Sequence, residues 1–176
     1  MLEEVPMVVA NLKRLTTEYD QTEDRIRLTG EADNGQPLVI WMTNRLARRV
    51  VPKIVDWLDK DGSPAGVPPS VKANALQSFA QEAAVAGLNP QKPVSASADA
   101  RSWLTRSIDI AATGRNMTLT FHGPPDQSAT VRFGETQLRQ WLSILHRGWM
   151  KAEWSPLVWP SWIKREDSTR QDISIH

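Results

Sequence analysis

Apolar residues in this chain recur at two periods, and the switches between them mark the elements. Leu12 to Tyr19 alternates, with Leu15, Thr17 and Tyr19 on one side, and the polar run 20–24 follows as a turn. Arg25 to Thr29 alternates again, Asp33-Asn34-Gly35 supplies turn chemistry, and Leu38 to Met42 returns, so the pattern predicts a hairpin. From Thr43, which suits an N-cap, Leu46, Val50, Ile54, Trp57 and Leu58 fall on a helical stripe. Pro52 sits inside that stripe and predicts a kink, because proline removes a helical donor and crowds the preceding turn.

Residues 62–69 are Pro/Gly-rich and read as a linker. Ser70 then caps a helix through Leu76, Phe79, Ala80 and Ala83 that stops at Gly87, and a looser stretch covers 89–100. Trp103 to Ala112 alternates as a single strand. Met117 to Phe121 and Ala129 to Phe133 are two more strands, joined by the turn at 123–126. The clearest helix carries Leu138, Trp141, Leu142, Leu145 and Trp149, and a Trp-rich segment at 152–163 follows it.

Displacing the sequence by 91 positions lays Arg25–Met42 over Asn116–Phe133 without a gap. Ile26, Leu28, Leu38, Ile40 and Met42 then fall on Met117, Leu119, Ala129, Val131 and Phe133. The order of elements repeats as well. The chain is therefore read as α+β, with two pseudo-repeated βββα units (antiparallel sheets each followed by a helix) and a helical insertion between them. Unit one is 12–60, the linker and helix 61–88, unit two 103–151 and the Trp-rich segment 152–163, all in one domain spanning 1–163, with 164–176 a disordered tail. Doubled units of this order resemble, in topology, the PUR-repeat and whirly proteins, which bind single-stranded nucleic acid across an exposed sheet face. Those families have four strands per unit where this chain shows three, and the resemblance carries no residue assignment.

Composition narrows the chemistry. Among 176 residues there is no cysteine, which removes disulfide frameworks, Cys-ligated metals and thiol nucleophiles. Lys+Arg 21 against Asp+Glu 20 leaves a net charge of +1, so attraction to nucleic acid or anionic lipid requires charges sorted onto one face. The acidic start Met1-Leu2-Glu3-Glu4 and the lack of a long apolar run suggest a soluble, cytoplasmic protein with no membrane role. The patterns HExxH, GxSxG, GxGxxG and the P-loop do not occur, so neither catalytic residues nor a metal or cofactor is expected, and the chain is read as not an enzyme.

Two constellations remain. Trp154, Trp159 and Trp162 stand close together near prolines, and these rings either fold back over the chain's own sheet or anchor a partner, with exchange of the segment in a homodimer satisfying both. Arg45, Arg48 and Arg49, with Lys53, gather on the polar face of the first helix, either as a solvated face or as an electrostatic rim around such a contact. The leading expectation is a homo-oligomeric protein-interaction or assembly module using these six Trp and Arg residues. The alternative is single-stranded nucleic-acid binding through outward-facing Arg25, Arg27, Trp41 and Arg132, where arginine beside an aromatic ring offers phosphate contact and base stacking.

Overall fold

The structure, a computed structural model, describes residues 8–61 and 71–164. The sequence-predicted linker at 62–69, the Ser70 cap and the tail beyond Lys164 lie outside the described residues. Its strands are β1 (Val8–Asp20), β2 (Arg25–Ala32), β3 (Pro37–Met42), β4 (Arg101–Leu104), β5 (Ser107–Thr113), β6 (Asn116–Gly123) and β7 (Gln127–Gly134). The helices are α1 (Asn44–Asp61), α2 (Val71–Ala86) and α3 (Glu135–Lys151), followed by a 3-10 turn at Pro156–Val158. The fold is mixed α+β, one curled seven-stranded sheet with helices. Among the described residues no helix is long and apolar enough to cross a membrane.

Strand order is β4-β3-β2-β1-β7-β6-β5. The two outermost strands are consecutive in the chain, with Thr105 and Arg106 alone between them, so the sheet must curl until its ends meet. The N–H of Thr105 bonds the Trp41 carbonyl of β3 (2.9 Å), and the N–H of Arg106 bonds the His122 carbonyl of β6 (2.7 Å). Residues 101–113 therefore run along β3 in parallel and then cross to pair antiparallel with β6. The single strand expected at 103–112 is corrected to two, because no one neighbour accompanies its whole length. β1 makes the same exchange: Val8–Leu12 lies parallel to β7, and Leu12–Asp20 antiparallel to β2. Its bulge between Leu12 and Arg14 marks the crossing, as strands that change sheets commonly bend at bulges.

Each crossing places a large side chain over a glycine. A Cβ on Gly30 would lie 2.6 Å from Leu12, and one on Gly123 would lie 2.4 Å from the Trp103 ring. Both side chains are buried, so the missing Cβ atoms are what let the corners close.

The inner face of the curl holds Ile26, Leu28, Ile40, Met117, Leu119 and Phe121, all at most 1% exposed. The apolar stripes of α1 and α3 join the same cluster. Thr43 caps α1, its Oγ1 accepting the Leu46 N–H at 3.3 Å. The helix continues through Pro52 from Asn44, so the proline does not start it. Helix α3 is capped from within, the Gln137 side chain accepting the Gly134 N–H at 3.0 Å. Residues 89–100 form no regular element and cross the outer face over β1. There the Val94 N–H bonds Thr16 Oγ1 (2.8 Å), and Arg14 donates to the Lys92 carbonyl.

Displaced by 91 positions, the pair Ile26↔Met42 falls on Met117↔Phe133, and Ala10↔Ala129 falls on Arg101↔Leu38. The two halves nonetheless differ. Tyr19↔Ile26 would fall on Ile110↔Met117, whereas Ile110 pairs with Leu119, two residues away. Helix α2 and the Trp-rich segment have no counterpart, and the strand order reads differently from each half. The organisation as two βββα units is accordingly not plain in the fold.

The glycine corners lead to a stability test. Gly123→Ala should lower the unfolding free energy by about 1–3 kcal/mol through overpacking against Trp103, measured by urea denaturation. Gly30→Ala should cost less, since the tip of Leu12 can move aside more readily than an indole ring.

Candidate functional site

The Trp-rich segment turns back onto the fold. Trp154, Trp159 and Trp162 are 8%, 3% and 2% exposed, so all three rings are buried within their own chain. Trp154 meets the β1–β2 turn: its indole N–H bonds Asp24 (3.2 Å), which also accepts the Tyr19 hydroxyl (2.7 Å). That second bond, with the nearby carboxylate charge, raises the Tyr19 pKa. Trp159 packs edge-on against Trp149 (5.4 Å) and His146 (4.9 Å). Trp162 lies over the Arg139 guanidinium at 5.4 Å.

Arg139 is 2% exposed and joins three helices to that segment. It donates to Gln77 Oε1 of α2 (2.6 Å) and to Glu135 of its own helix (3.4 Å). Gln77 in turn bonds the Leu58 carbonyl of α1 (2.9 Å), and Gln81 bonds the Arg139 carbonyl (2.9 Å). Burial pulls the Arg139 pKa down, against the opposing pull of Glu135 and Asp59. Burial beside Asp56 pushes Asp59 up, while Arg139 and a hydrogen bond from Trp162 act the other way. A charge so enclosed ties the packed helices together through its hydrogen bonds.

The predicted cationic positions are accessible but scattered. Arg45, Arg48, Arg49 and Lys53 are exposed along α1, with no ion pair among the described residues. On the outer sheet face Arg27 stacks over Trp41 at 5.9 Å, and Arg25 pairs with Glu23 at 3.8 Å. Arg132 is not brought to them. One residue beyond the Leu12↔Val131 pair, it stands level with Lys13, whereas Arg27 pairs with Glu18, a separation of roughly 16 Å along the strand. A cleft of about 410 Å³ lies between β1 and α3, walled by Glu18 and Asp20 on one side and Arg147 and Lys151 on the other, with Arg27 also lining it, so three cations stand against two carboxylates.

The feature that sequence reasoning missed is the edge of β5. All seven residues of Ser107–Thr113 are at least partly exposed, and among the described residues the strand pairs only with β6. It has no lysine, proline or bulge, the usual protections of an edge. Its one charge, Asp109, is bonded to His122 across the strand pair at 2.7 Å. The corresponding part of β1, where it has left β7, is instead shielded by α3. Gly148 sits at that contact, where a Cβ would meet its neighbours at ordinary van der Waals distance, 3.5 Å from Ile26 and 3.7 Å from Tyr19. The position 91 residues before Gly148 is Trp57, and α1 does not pack against β5 as α3 does against β1. The alternation at 107–113 was visible in the sequence; its lack of a second neighbour was not.

Family models, curated proteins and solved structures were all compared with the chain, and none matches.

Two substitutions test the packing. Trp159→Ala should cost about 3–5 kcal/mol in chemical denaturation, as expected for a buried aromatic ring. Asp59 has a folded pKa raised above its ordinary 3.8, so the stability it contributes is present below that value and lost as pH rises through the raised one. Asp59→Asn should therefore flatten the decline in melting temperature across that acidic window, and should not destabilise the fold at neutral pH.

Proposed function

We propose that this chain is a non-enzymatic protein-interaction module whose partner adds a strand to the sheet at β5. The single observation behind this reading is the bare edge of Ser107–Thr113. An unpaired strand edge offers a row of N–H and C=O groups to any extended segment, and the added ladder supplies affinity without a deep pocket. Ile108 and Ile110, half-buried on the inner face, would continue the apolar row onto the incoming strand. The cations Arg45, Arg48 and Arg49 on α1 would form an electrostatic rim, while Trp154, Trp159 and Trp162 act from inside by holding the fold closed.

The same reading takes the chain as two βββα units joined by a helical insertion, each lending the first half of its long strand to the other. The shared registers at an offset of 91 residues and the paired glycine corners support it. The departures between the halves follow from the longer β1–β2 turn and from Trp57 standing where the other half has Gly148.

A second reading keeps one observation of its own. Arg27 over Trp41, with Arg25 one pleat away, is an arrangement on which a nucleobase stacks while a phosphate is held. Without Arg132 this surface is small, and the net charge of +1 gives it little long-range attraction.

A synthetic peptide with the sequence of residues 106–114, titrated into the chain and followed by amide chemical shifts, tests strand addition. The expected result is saturable perturbation concentrated in β5 and β6. Shifts absent from β5, together with binding of a poly-dT oligonucleotide that falls steeply with salt, would overturn the reading in favour of nucleic acid.

A further inference from the structure

We infer that the strand added to β5 is β5 of a second copy, paired antiparallel about a two-fold axis at Ile110. The inference rests on the strand-addition reading and supplies its partner. The axis is fixed by what each register sets side by side. Centred on Ile110, the midpoint of Ser107–Thr113, the strand pairs along its whole length: Ser107 faces Thr113, Ile108 faces Ala112, Asp109 faces Ala111 and Ile110 faces itself.

Pairing of this kind keeps the inner face apolar, because Ile108, Ile110 and Ala112 share one side of the pleat. It also sets the only charge on the strand against a methyl group. An axis at Asp109 would oppose two carboxylates directly. An axis at Ala111 would set Ile108 against Gly114, which turns at φ +60 and has left the strand. Self-pairing at Ile110 avoids both faults and joins the two curled sheets edge to edge. A seven-residue strand pair is a small interface, so the dimer dissociates on dilution.

The absence of cysteine from the chain makes single-cysteine variants clean reporters. Under mild oxidation Ile110→Cys should form a disulfide-linked dimer rapidly. Ala112→Cys should not, since its two copies would stand about 13 Å apart along the strands. Ala111 is exposed, so charge at this position leaves the fold intact and tests the register independently. Ala111→Asp opposes Asp109 of the second copy twice and should weaken the dimer roughly two- to thirty-fold by light scattering, whereas Ala111→Lys should tighten it by a similar factor. Equal effects of the two charges, or cross-linking that favours Ala112→Cys, would overturn the register. A chain that stays monomeric at all concentrations yet binds the 106–114 peptide at β5 would overturn the self-partner and leave strand addition standing. A chain that does neither would overturn both.

Discussion

A β-strand has two edges, and in this fold two long strands divide their edges between different neighbours. Residues 8–20 leave β7 for β2, and residues 101–113 leave β3 for β6. Because Thr105 and Arg106 alone separate the two ends of the strand order, the sheet has to curl around its own core. The glycine corners follow from the same exchange. A strand changing neighbours turns a bulky residue inward, and Leu12 and Trp103 fit only where the strand beneath has no Cβ. The openings follow too: among the described residues β4 pairs only with β3 and β5 only with β6, while helix α3 shields the part of β1 that has left β7.

The remainder of the core is closed by the Trp-rich segment. A buried indole removes roughly 150–250 Å² from water, worth about 4–6 kcal/mol of gross transfer energy before the ordering of the segment is subtracted. Burying Arg139 beneath Trp162 is costly in isolation. Gln77, Glu135 and the aromatic face offset that cost, and the guanidinium fixes α1, α2 and α3 relative to one another. These contacts concentrate buried aromatic and polar packing on the helical side of the fold.

Local elements were largely legible in the sequence. Strand periodicity at Arg25–Thr29 and Leu38–Met42, the Thr43 cap and the stripe from Leu138 to Trp149 all reflect short-range physics, and each occurs in the fold. The offset of 91 residues lays the hairpin pair Ile26↔Met42 on Met117↔Phe133, but it specified no register in advance. What the sequence withheld depends on neighbours distant along the chain. Alternation at 103–112 cannot reveal that its first and second halves pair with different strands. The tryptophans near the carboxy end signalled burial but not whose surface would bury them. That β5 has a single neighbour among the described residues was hidden for the same reason, since pairing joins strands far apart in the chain.

Amide hydrogen exchange along β5, measured over a range of chain concentrations, addresses the central claim most directly. In an isolated edge strand, half of the amides point to solvent and exchange freely, while a strand paired on both sides protects them. The account predicts that the unprotected alternate amides of Ser107–Thr113 become protected as concentration rises, with the interior amides of β2 and β6 unchanged. Free exchange of those amides at every concentration would contradict it, as would their full protection in the dilute monomer.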